Sequence, residues 1–151
     1  MLFFVFHLAA RAADDPQLGT WKLNVAKSKI TPGPPPKSRT VTVVSYGNDG
    51  VKLTTEEINS EGKKRTVEYS AQYDGKQYPR TETGPGAVNG QTVTLKRIDA
   101  NTVERTIYLA GKKLRSETWV ISKDGKTRTV TEAGTNAQGQ AVSTVVVFDK
   151  Q

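Results

Sequence analysis

The feature that most constrains this chain is a punctuation of turn-forming residues that returns every 10 to 15 positions. Asn48-Asp49-Gly50, Ser60-Glu61-Gly62, Asp74-Gly75, Asn89-Gly90, Asp99-Ala100-Asn101, Ala110-Gly111, Asp124-Gly125 and Asn136-Ala137-Gln138-Gly139 all place residues that tolerate positive φ. Between them lie Val- and Thr-rich runs at 39–46, 51–58, 66–73, 92–98, 102–109, 114–122, 127–132 and 142–148, whose branched side chains suit a pleated, half-buried surface. A short run at 77–81 and another at 18–25 bring the expected total to ten strands. Links this short make sequential strands antiparallel neighbours. A meander of that size leaves two long edges unpaired unless it closes. The expectation is an all-β fold, an antiparallel up-and-down β-barrel of 8 to 10 strands.

Two stretches break the rhythm. Residues 27–37, with Pro32, Pro34, Pro35 and Pro36, cannot form a helix interior. They read either as a rigid extended connector over the surface or as a flap beside the barrel mouth. Residues 83–88 form a loop midway along the chain.

The apolar run from Met1 to Ala10, followed by Ala10-Arg11-Ala12, resembles the core and cleavage region of a secretory signal peptide. The expected organisation is a cleaved leader at 1–12 and one barrel domain at 13–151, secreted or periplasmic. The run meets Arg11 well short of the roughly 20 apolar residues that a helical span needs, so no stable membrane insertion is expected after cleavage. The chain has no cysteine, and its one histidine, His7, falls in this leader. Residues 13–151 therefore offer no Ser-His-Asp triad, thiol nucleophile, His-bound zinc or axial-His haem. No metal or other cofactor is expected. Carboxylate, tyrosine, lysine and arginine chemistry remains, and Glu117 with Glu132 is the spacing-level candidate for an acid–base pair. Glu56 and Glu57 are adjacent on a strand and face opposite ways.

The formal net charge of +7 becomes +6 without Arg11. Its lysines gather in turns, at Lys63-Lys64, Lys112-Lys113 and Lys123, mixed with acids. No aromatic–basic platform stands out, so nucleic acid is not an expected partner.

The opening strand, Leu18-Gly19-Thr20-Trp21-Lys22-Leu23, resembles the first strand of the calycin superfamily. Lipocalins carry Gly-x-Trp there, and fatty-acid-binding proteins a closely similar Gly-Thr-Trp-Lys-Leu. The strand-and-turn series from Leu18 to Lys150 is most similar to the ten-stranded fatty-acid-binding arrangement. Tyr73-Asp74-Gly75-Lys76-Gln77-Tyr78-Pro79 and residues 134–140 are similar to segments of small secreted bacterial lipocalin-like proteins. The resemblance implies a lumen that takes a small hydrophobic or amphipathic ligand. Two family features are missing. The helical lid is replaced by the proline-rich stretch, and the Arg-x-Tyr of the last strand is replaced by Val146 and Phe148.

Period-two alternation puts Gly19, Trp21, Leu23 and Val25 on one face, with Trp21 plugging one barrel end. The same alternation puts charges on the apolar phase of later strands. Arg97 follows Val93 and Leu95, and Arg105 lies between Val103 and Ile107. Arg115 and Glu117 precede Trp119 and Ile121, and Arg128 precedes Val130. In 66–73 the phase Val67, Tyr69, Ala71, Tyr73 points inward. Arginines buried there would need carboxylates, water or an anionic ligand. The candidate ligand-binding residues are therefore Arg105, Arg128, Arg115, Arg97, Tyr69, Trp119 and Glu117. Pairing of these arginines with Glu117, Glu104 and Glu132, or bulges that turn them outward, is the competing account.

Residues 145–148 are apolar on both phases, as 41–44 nearly are, so an outward apolar band could carry a homodimer or be covered by the segment before Leu18. Three functions stay open at this level. One is a lumen that binds a small hydrophobic or amphipathic molecule, anionic or neutral; the others are an enzyme using carboxylates or tyrosines in that cavity, and a filled barrel that works through its surface.

Overall fold

The computed structural model of the chain describes residues 15–151. The leader expected at 1–12 lies outside the described residues. Ten strands form one closed antiparallel barrel. In chain order they are β1 (Gly19–Leu23), β2 (Ser38–Ser45), β3 (Gly50–Ile58), β4 (Lys64–Gln72) and β5 (Tyr78–Thr83), then β6 (Gln91–Asp99), β7 (Thr102–Leu109), β8 (Lys112–Ile121), β9 (Thr127–Thr135) and β10 (Ala141–Lys150). Each pairs with its sequence neighbours, and β1 closes the ring on β10 through Trp21↔Lys150 and Leu23↔Phe148. The meander expected from the turn spacing is the observed topology.

On β1, β4 and β6 to β9 the interior phase is also the one expected, and on β2, β3 and β10 the structure settles it. Val41 and Val43, Val51 and Leu53, Tyr69 and Ala71, Val93 and Leu95, Val103 and Ile107, Trp119 and Ile121, and Val146 and Phe148 are all buried. Four hairpin turns, residues 15–18 and the C-terminus gather at one end of the barrel, which is closed. Trp21 fills it, fully buried, its indole Nε1 donating to the Gln17 carbonyl at 3.0 Å. Residues 15–18 lie across this end, tied down by Tyr73 Oη donating to Asp15 at 2.7 Å and by Arg97 donating to the same carboxylate at 3.2 Å.

The expected strand at 18–25 stops early. β1 ends at Leu23, and Val25–Lys27 form one 3-10 turn. Asn24 explains the break: its side-chain oxygen caps the turn by accepting from Lys27 N, and its amide donates to Asp149 at 2.9 Å. Beyond the turn the chain rejoins the barrel wall. Lys29 bridges to Val145 and Thr31 N donates to the Thr144 hydroxyl at 3.2 Å, so residues 29–31 extend the pairing of β10 where β1 has stopped. The proline stretch thus begins as part of the wall, and among the described residues no helical lid stands over the barrel. On the outside, Val44 and Val145 are exposed on the strands flanking β1.

Candidate functional site

A cavity of about 430 Å³ occupies the barrel interior, reaching the loops opposite the Trp21 end. Ile30, Thr31 and Pro32, the 83–90 loop (Pro85, Gly86, Val88) and the β9–β10 turn (Asn136, Ala137, Gln138) line its mouth. The volume falls within the range of small-molecule sites.

Its two walls differ in chemistry. β2, β3 and β10 contribute Val41, Leu53, Val142, Val146 and Phe148. The charges on this side, Arg39 and Glu57, neutralise each other, with Arg39 Nε donating to Glu57 at 2.7 Å. The wall from β4 to β9 carries Arg65, Arg80, Glu82, Arg105, Arg115, Glu117, Arg128 and Glu132. Strand alternation produces it directly, because Arg65, Arg105, Arg115, Glu117, Arg128 and Glu132 share a phase with buried apolar neighbours on their own strands, while Arg80 and Glu82 alternate on the inward face of β5.

At the centre, Arg105 and Glu117 stand directly opposite on β7 and β8 and form an ion pair. Arg105 also donates to Tyr69 Oη at 3.2 Å, and Trp119 Nε1 donates to the other Glu117 oxygen at 3.0 Å. Burial would raise the Glu117 pKa, but Arg105 together with hydrogen bonds from Glu132 and Trp119 outweighs burial and holds the carboxyl well below its usual range. Arg105 is held above its ordinary value, since Glu117 and Tyr69 outweigh the loss of solvent. The Tyr69 hydroxyl is itself pushed up by burial.

Glu132 sits opposite Glu117 across the β8–β9 ladder. Two carboxylates so placed cannot both ionise freely. Burial first, then the Glu117 charge, pushes the Glu132 carboxyl up to about 8, so it keeps its proton at neutral pH. Arg115 Nε approaches Glu132 at 3.3 Å but lacks hydrogen-bond alignment. Arg115 is set there by local backbone form. Leu114 is an extra residue in β8, where the register with β7 shifts, and Gly134 lies across from Arg115 at φ +139°. A Cβ on Gly134 would stand 2.4 Å from the Leu114 carbonyl oxygen, so only glycine lets the strands meet this way. Such split carboxyls are what acid–base chemistry uses, yet both Glu117 oxygens are already held by Arg105 and Trp119.

Towards the mouth, Arg80 pairs with Glu82 on the same face of β5 and donates to Gln91 Oε1 at 2.9 Å. Arg65 reaches the other Glu82 oxygen at 2.8 Å, and Val88 N donates to it at 3.1 Å, tethering the 83–90 loop. Burial lowers Arg80 to about 10, helped by repulsion from Arg105 and Arg115. Glu82 falls to about 2 because Arg80 and Arg65 outweigh its burial.

Deepest on this wall lies Arg128. It is 2% exposed, its guanidinium lies 4.3 Å from the Trp119 ring centre and 6.0 Å from that of Phe148, and it forms no ion pair among the described residues. Its Nε and Nη1 are buried with no hydrogen-bond partner there. Burial lowers its pKa to about 10, which still leaves it cationic at neutral pH.

Of the seven sequence candidates, Arg105, Arg115, Arg128, Glu117 and Trp119 line the cavity, and Tyr69 stands behind it as the hydrogen-bond partner of Arg105. Arg97 faces inward as its phase implies, but at the closed end, stacked 4.2 Å from the Tyr73 ring and paired with Asp15 and Asp49. It belongs to the plug. Arg65, Arg80, Glu82 and Gln91 escaped the sequence reading, although Arg65 shares the phase of Val67 and Tyr69, and Arg80 and Glu82 alternate on one face. Among the described residues, no group of three or more His, Cys, Asp or Glu side chains is placed to hold a metal ion. Comparison with known protein families and with curated proteins finds no match to this chain.

Proposed function

We propose that this barrel binds a small anionic, partly apolar molecule in its interior cavity, as a lipocalin-like carrier or receptor exported from the cell. The observation that carries this reading is Arg128, a guanidinium at the bottom of the cavity with two buried N–H groups left without acceptors. An unpaired buried cation is costly, and an acidic group entering the cavity would supply what the protein does not. Six arginines and four glutamates line the cavity, so its own charges do not cancel. Carboxylate, sulfonate and phosphate all match the planar guanidinium fork. The Val- and Phe-lined wall opposite supplies the apolar contact that fixes the rest of the molecule.

The test is a matched pair of fluorescent probes, 8-anilinonaphthalene-1-sulfonate and its neutral analogue N-phenyl-1-naphthylamine. The sulfonate is expected to bind saturably at one site, and Arg128→Met to weaken it by about 10- to 100-fold, the worth of hydrogen bonds to a charged group. Equal binding of the neutral probe, unaffected by the substitution, would refute the reading, as would the absence of saturable binding.

A further inference from the structure

Resting on that reading, we infer that the natural ligand is a diacid, with anionic groups at both ends of an apolar body, rather than a monoacid with a free apolar tail. The placement of the unbalanced charge carries this. On the charged wall Arg105 is matched by Glu117, but Arg115 approaches a Glu132 carboxyl that keeps its proton at neutral pH. Positive charge therefore remains in two places. One is Arg128, which has no carboxylate partner among the described residues. The other lies around Glu82, a single carboxylate shared by Arg65 and Arg80, with Arg115 adding its charge beside Arg80. Arg65, Arg80 and Arg115 each keep a buried Nε without an acceptor among the described residues, so this second place has donors to spare as well as charge.

The two places lie at different depths. Arg128 opens β9 just after the closed-end β8–β9 turn, whereas Arg65 opens β4 just after the β3–β4 turn at the mouth. Between them Arg105 and Glu117 neutralise each other, and the opposite wall is apolar. A monoacid seated on Arg128 would lay its tail beside Arg65 and Arg80 and leave their excess charge facing hydrocarbon. A diacid satisfies both ends while its middle lies against Val41, Leu53 and Val146. The missing acid is therefore a second one, near the mouth.

Two matched pairs test this by calorimetric titration at pH 7: 2,6-naphthalenedicarboxylate against 2-naphthoate, and dodecanedioate against dodecanoate. In at least one pair the diacid is expected to bind ten-fold or more tighter than its monoacid. Arg65→Met is the diagnostic variant, because it leaves Arg80 and Glu82 matched one to one and its side chain is partly exposed, so folding survives. It should remove most of the diacid's advantage over the monoacid and leave the monoacid unchanged, whereas Arg128→Met should weaken both. Monoacids binding as tightly as diacids, or Arg65→Met leaving the diacid unaffected, would overturn the diacid inference and leave an anion-binding cavity standing. Failure of all four compounds and of the sulfonate probe would overturn both.

Discussion

Replacing Arg128 with methionine should make the protein more stable and less able to bind. The guanidinium drops from 12.5 to about 10 on folding, chiefly through burial, and at about 1.4 kcal/mol per unit its charge costs on the order of 3 kcal/mol. The sign is that of a base with a lowered folded pKa. The cost is present in full at pH 7, below both values, and fades only above about pH 10. Stacking on Trp119 at 4.3 Å returns up to about 2 kcal/mol at a desolvated site. Methionine keeps most of the stem's packing without the charge. The net gain is about 1–2 kcal/mol, or a rise in Tm of roughly 2–8 °C for a chain of this size. Thermal melts followed by circular dichroism at pH 7, with sulfonate titrations on the same samples, measure both effects. A variant that melts at or below the parent and still binds the probe would show that Arg128 is a structural cation with partners of its own, and the reasoning would fall.

Glu132→Gln should stabilise the protein increasingly as pH rises. The parent holds a proton on Glu132 up to about pH 8 that the unfolded chain releases near 4.5, so parent stability declines through that window by up to about 1.4 kcal/mol per pH unit. The difference in Tm between variant and parent should grow from pH 5 to 8 and then level off; a constant difference would contradict a protonated Glu132. Glu117→Ala leaves Arg105 and the Trp119 indole without their acceptor and should cost about 3–5 kcal/mol in urea unfolding, whereas a loss below 1 kcal/mol would mean that water replaces the carboxylate freely. Gly134→Ala forces a Cβ to within 2.4 Å of the Leu114 carbonyl oxygen. It should cost about 1–3 kcal/mol and weaken probe binding by displacing Arg115; an unchanged urea midpoint would mean that the ladder gives way locally.

The strands and their facing could be read from the chain because both depend on near neighbours. Asp124-Gly125 and Asn89-Gly90 turn the backbone whatever lies beyond them, and once Trp119 faces inward so must Glu117 and Arg115. Where that reasoning stopped short, a local competitor had taken over. Asn24 caps a 3-10 turn and ends β1 early. Arg80 and Glu82 were missed because β5 is short and shows few apolar residues, so its alternation carries little signal.

What the residues determined unaided is therefore a closed meander, a plug built on Trp21, and arginines on the inward phase of several strands. No sequence pattern could say which of those arginines would meet. Phase fixes the face of a strand but not the depth along the barrel, and depth depends on how every hairpin registers with the next. That register sends Arg97 to the closed end, where Asp15 and Tyr73 hold it, and Arg105 to the middle, opposite Glu117. It also sets the charged strands β4 to β9 across from the apolar β10, β2 and β3. Closure of the ring created the two-walled cavity and left Arg128 inside it without a carboxylate among the described residues, because charge balance in an interior is a property of what the whole barrel brings together.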